Sequence, residues 1–207
     1  MNNAILFSLL LLVPQGEFSN FSFCRENSRG PYELQCFQLD PEGKGIFKVQ
    51  PRDADAVNVP VELSGDVAED FVQLLADTDY LAEGEAYESD RKVANLGVKT
   101  LTLDAPSGQR TAVFNFSAKR EVSNLVVFFD RLIAQELWVL DIDVALQFDR
   151  LAIPKKLDQI EKDLRAKRVG DARRLIPILD KIAGDSRLVN FARTTAARLK
   201  KQIEDND

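Results

Sequence analysis

At Lys119 the spacing of apolar residues in this 207-residue chain changes from every second position to every third or fourth, so two kinds of element must follow one another. Upstream, Phe21 and Phe23 alternate with Phe18, Asn20 and Ser22. Tyr32 to Leu39 repeats the pattern, and Gly45 to Gln50 resumes it after the turn Asp40-Pro-Glu-Gly-Lys-Gly45. Val57 to Leu63 reads as a further strand. Val98 to Leu103 and Arg110 to Phe116 flank Asp104-Ala-Pro-Ser-Gly108, a hairpin turn. One helix interrupts the series. Ser64 stands at its cap, Asp66 and Glu69 in its first turn suit the helix dipole, and Val67, Phe71, Leu74 and Leu75 form its apolar stripe. Residues 77–96 are polar and acidic and read as a long loop.

Downstream, Val122, Leu125, Val126, Phe129, Leu132 and Ile133 mark an amphipathic helix that extends through Trp138 toward Arg150. Pro154 suits the start of the next helix, striped by Leu157, Ile160 and Leu164. Gly170-Asp171 is expected to stop that helix and cap another, with Leu175, Ile176, Leu179 and Ile182 on one face. After Gly184-Asp185-Ser186 a last helix carries Val189, Ala192, Ala196, Leu199 and Ile203. The pattern predicts an α+β fold: an antiparallel sheet of about five to six strands with packed helices, then a helical hairpin or bundle. The short helix around Phe71 cannot cover such a sheet alone, so the 120–135 helix is expected to complete the sheet's core. The expected division is a signal peptide over 1–15, an α+β domain over 16–136 and a helical region over 137–207.

Charge divides the same way. The chain carries a net −6, with −9 in residues 1–118 and +3 in residues 119–207. An acidic chain repels phosphate backbones, so nucleic acid is not an expected partner. The basic stretch Lys155, Lys156, Lys162, Arg165, Lys167, Arg168, Arg173 and Arg174 is interleaved with Asp158, Glu161 and Asp163. It reads as a solvated helix face or as a docking surface for the chain's own acidic first part.

Ala4 to Val13 is an apolar run of ten residues, too short to cross a bilayer, which takes about 20, but the length of a signal-peptide core. Export to the periplasm or the outside is the expectation. Because Met1-Asn2-Asn3 has no cation and no Ala-x-Ala site follows, a buried first element in a cytoplasmic protein is the alternative. Two cysteines, Cys24 and Cys36, flank the turn formers Asn27-Ser-Arg-Gly-Pro31. A hairpin centred on Gly30 sets them face to face as a disulfide, whereas a slip of one residue separates them as two buried thiols.

The chain has no histidine, which removes Ser-His-Asp and Cys-His nucleophile systems and histidine metal sites. Asp77, Asp79, Glu83 and Glu88 fall near calcium-loop spacing, but Leu81 and Ala82 stand where an oxygen ligand and glycine belong. No metal and no cofactor are therefore expected. Tyr87, Glu88, Asp90, Arg91 and Lys92 form the candidate functional loop, to be weighed against a local salt-bridge cluster.

Tyr32-x-Leu-x-x-Phe37, Asp40-x-x-Gly-x-Gly45, the capped helix, Tyr87 and Asp90, and the strand pair Thr100–Leu103 and Ala112–Phe116 occur in this order. Over residues 32–133 that order resembles a family of small exported bacterial domains of unknown function, although the family's cysteine cluster before the tyrosine is missing. The resemblance implies a fold and export, and no activity. Residues 174–200, with Pro177, Leu179, Ile182, Asp185, Val189 and Ala196, resemble one HEAT-type helical hairpin, in which Pro177 would kink the first helix. The expected function is an exported, non-enzymatic interaction or structural module with a protein partner. The alternatives are a hydrolase using only Asp and Glu, or a small-ligand binder with a site between sheet and helices.

Overall fold

The computed structural model describes residues 18–27, 29–91, 93–95 and 97–205. The expected signal segment over 1–15 and Lys92 lie outside the described residues. Six strands, β1 (Asn20–Glu26), β2 (Tyr32–Leu39), β3 (Lys44–Pro51), β4 (Val57–Glu62), β5 (Val98–Ala105) and β6 (Gly108–Phe114), form one antiparallel sheet in the order β4-β3-β2-β1-β5-β6. The helix α1 (Gly65–Asp77) and the segment after it carry the chain from one edge of the sheet back to its middle. Four helices follow the sheet: α2 (Arg120–Phe148), α3 (Ile153–Arg165), α4 (Ile176–Gly184) and α5 (Asn190–Glu204). The class is α+β, with the helices after the sheet.

Alternation along the strands points one residue set inward. Phe21, Phe23, Phe37, Leu39, Phe47, Leu101 and Leu103 are fully buried under Phe71 and Leu75 of α1 and Val122, Leu125 and Phe129 of α2. Phe129 is the centre: its ring stacks on Phe23 at 4.9 Å and lies 5.5–5.8 Å from those of Phe21, Phe37 and Phe71. The 120–135 helix thus completes the core of the sheet. Val113 points outward and Phe114 inward on β6, which decides between the two candidates.

The opposite face of the sheet is half-exposed and polar, and it carries the disulfide Cys24–Cys36. Cys24 is in register with Cys36, Phe23 with Phe37 and Arg25 with Gln35. The Asn27 N–H donates to Glu33 O at 3.0 Å, so odd positions of β1 sit at hydrogen-bonded pairs and Cys24 at a non-bonded one. Backbones approach most closely at such pairs, and these two Cα atoms are 4.1 Å apart.

A second core joins Ile142 and Leu146 of α2 to Ile153, Leu157 and Ile160 of α3, Leu179 and Ile182 of α4, and Ala192, Ala196 and Leu199 of α5. The two cores meet inside α2, near the expected division at residue 136. Two local expectations are corrected. The helix α3 ends at Arg165, five residues before Gly170, because Lys167 takes a left-handed conformation (φ 53°); the Lys167 and Arg168 amides then donate to Leu164 O and Asp163 O in a Schellman cap. Gly170 serves a close approach instead: a Cβ there would come 2.8 Å from the Leu132 backbone nitrogen. Pro177 lies in the first turn of α4, where the missing N–H has no helical partner to lose, so it does not kink the helix.

Candidate functional site

Alternation that buries Phe21 and Phe23 also turns Arg25 inward, and alternation that buries Leu101 and Leu103 turns Lys99 inward. The register puts Gln35, Arg25, Lys99 and Phe114 in one row across β2, β1, β5 and β6. At this row the inner face of the sheet changes from apolar to charged. Two cations stand directly opposite one another on neighbouring strands, an unfavourable pairing.

The α2 helix answers them. Ser123, Val126, Val127 and Asp130 recur at helical spacing along one edge of its core stripe. Asp130 accepts from Arg25 Nη1 at 2.8 Å, while Arg25 Nε and Nη2 both donate to Gln35 Oε1, at 2.9 and 2.6 Å. Lys99, only 6% exposed, donates to Gly97 O at 3.2 Å and Asn115 O at 2.9 Å. Gly97 allows this: its φ is 88°, and a Cβ would come 2.7 Å from Glu26 O. Burial pushes the Lys99 ammonium below its usual range, against the attraction of Asp130 and with the repulsion of Arg25. Burial pushes the Asp130 carboxyl upward, opposed by Arg25 and Lys99.

Between the end of β6 and α2 these residues line a cleft of about 360 Å³, which suits a small molecule. Phe114 and Phe116 line it from the end of β6 and Val126 and Val127 from α2, together with the charged Arg25, Lys99 and Asp130 and the polar Asn115, Ser117 and Ser123. Val126, read from the sequence as core, is half-buried and belongs to this lining. Sequence reading singled out none of Arg25, Lys99 and Asp130. The available signal was a charge at an inward position of an otherwise apolar alternation.

The candidate loop is tied down beside the cleft. Glu88 accepts from the Asn115 amide at 2.6 Å, and the Ser89 amide donates to Phe116 O at 2.8 Å. Tyr87 donates to Ala82 O at 3.3 Å under the Lys119 ammonium, which also pairs with Glu85. Burial raises the Tyr87 hydroxyl's pKa. Asp90 and Arg91 are exposed. Tyr87 and Glu88 thus brace the β6–α2 junction, and none of the described loop residues lines the cleft. Among the described residues no three Asp, Glu or Cys side chains converge as a metal site, and Asp77, Asp79, Glu83 and Glu88 are not brought together.

The basic stretch disperses. Lys162, Arg165 and Arg168 pair with acids of α3 itself and Lys156 with Asp141 of α2. Arg173 and Arg174 do reach the first part of the chain: Arg173 lies 3.6 Å from Asp66, and Arg174 donates to Glu62 O at 3.1 Å. Among the described residues no helix is long and apolar enough to cross a membrane. Compared with known proteins, the chain matches no family model and no curated sequence.

Proposed function

We propose that this protein is an exported, non-catalytic binding module whose ligand is a small molecule held in the cleft between β6 and α2. The observation that carries the reading is a concave site lined by phenylalanine and valine side chains together with Arg25, Asp130 and the buried Lys99. It favours the small-ligand alternative, because the cleft sets apolar side chains beside charged ones. A carboxylate-pair hydrolase needs two acids across the bond to be cut, and among the described residues Asp130 is the one acid lining this cleft. Export is supported by the Cys24–Cys36 disulfide, since such bonds persist in oxidising compartments, and by the apolar run at Ala4–Val13.

Amide chemical shifts of the isotope-labelled protein test the site against a set of small aromatic and aliphatic compounds. Shifts are expected to cluster at Asn115–Ser117 and Ser123–Asp130. Clustering on the outer face of the sheet, around Ser22 and Gln38, would move the site elsewhere. Export is tested separately by the mass of the mature protein, where a retained Met1 counts against it.

A further inference from the structure

The row that crosses the sheet at Arg25 and Lys99 is charged in a way its own neighbours do not balance. We propose that the cleft selects an organic carboxylate: an apolar aliphatic or aromatic body between the phenylalanine and valine walls, with the carboxylate seated at Lys99 and Arg25. This rests on the reading of the cleft as a small-molecule site and adds the chemical class of the ligand.

Three observations lead to that class. First, among the described residues two cations, Arg25 and Lys99, and one acid, Asp130, line the cleft. The other acid that acts on Lys99 is Glu88, which is exposed and engaged by the Asn115 amide, so solvent screens it. Second, donors remain. Of the three ammonium hydrogens of Lys99, carbonyls take two. Of the five N–H groups of Arg25, three are committed to Gln35 and Asp130. A carboxylate accepts from several such donors, and charge-assisted bonds of this kind are the stronger ones. Third, Asp130 sets one negative charge against the two opposing cations, so a bound anion relieves the repulsion that is left as well as adding bonds. A cationic ligand would increase the repulsion, and a neutral one would leave it in place. The walls exclude a small inorganic anion as the natural fit, because they would then face water.

Calorimetric titration of the full chain at low salt tests the class with matched pairs: octanoate against octanol, and hydrocinnamate against hydrocinnamyl alcohol. Each acid is expected to bind at least about tenfold more tightly than its alcohol. Lys99→Met should abolish that preference, and Asp130→Asn, which removes the competing acid, should tighten acids several-fold while leaving alcohols unchanged. Acids and alcohols of equal affinity would overturn the carboxylate assignment while leaving the cleft as the site. Binding of neither class would remove the small-molecule reading of the cleft as well. If Lys99→Met fails to fold, the Asp130→Asn arm decides, and acids that bind it no better than the parent protein overturn the proposal.

Discussion

Lys99 breaks the local rule of its strand: Leu101 and Leu103 continue inward as apolar residues, and Lys99 occupies the next inward position as a cation. Asp130 is its counterpart on α2, and the sign of its titration follows from its cause. Burial holds the carboxyl above its ordinary value of 3.8, so the folded chain binds this proton more tightly than the unfolded chain. The stabilisation linked to that proton is complete below 3.8 and is lost as pH rises through the folded value. The stability of the parent chain relative to Asp130→Asn is therefore expected to fall over that interval, read from urea unfolding at a series of pH values; a rise would reverse the assignment. Lys167 breaks a different rule, since a side chain in the left-handed region costs about 1–2 kcal/mol that glycine does not incur. Lys167→Gly keeps the Schellman bonds and should raise stability by about 0.5–1 kcal/mol after the greater unfolded-state freedom of glycine is counted. A lower urea midpoint in this variant would show that the lysine makes contacts worth more than the strain.

At the scale of elements, α2 does most of the organising. Its 29 residues present Val122, Leu125, Phe129 and Ile133 to the sheet, then Ile142 and Leu146 to the later helices. The 3.6-residue period explains both, because a straight helix that long drifts its stripe from one partner to the next. Phe129 is wholly buried against five other phenylalanine rings, so Phe129→Ala should cost about 3–5 kcal/mol. Thermal or urea unfolding measures this, and a loss under about 1 kcal/mol would mean that the surrounding rings collapse into the space. The segment after α1 is less regular. Asp79, Tyr80 and Leu81 all have φ near 50°, a short left-handed turn. Leu81 is buried and Arg110 donates to Tyr80 O at 3.0 Å, and these interactions offset the strain.

At the scale of the whole molecule, the loop between α3 and α4 fastens the helical region to the sheet. Arg174 holds Glu136 by two bonds, 2.7 and 3.0 Å, and reaches Glu62 O. Asp171 accepts from the Ser64 amide at 2.7 Å, and its own amide donates to Gln135 Oε1 at 2.8 Å. Glu136 is 2% exposed, so Arg174→Ala would strand a buried carboxylate and should cost about 3–5 kcal/mol. Because α2 belongs to both cores and this network ties them, the two are expected to unfold together. Trp138 packs against the second core, so its fluorescence reports that half, and its transition should coincide with that of far-ultraviolet circular dichroism. An earlier fluorescence transition would show that the cores are uncoupled.

Strand positions and the helix stripes were legible in the sequence, for a shared physical reason. Each depends on local periodicity and turn chemistry, so Phe21, Phe23 and Phe37 declare their face within a few residues of chain, whereas the choice between facing cysteines and a one-residue slip stayed open until the strand register set Cys24 opposite Cys36. The close approach of Gly170 to Leu132 and the buried Glu136–Arg174 pair were not legible, because each is set by a distant segment. The cleft belongs with these. Arg25, Lys99 and Asp130 lie on β1, β5 and α2, and only the order of strands and the seating of α2 bring their charges together. Sequence alone determines which face each residue takes; tertiary structure decides which faces meet, because burial and charge act through space and not along the chain.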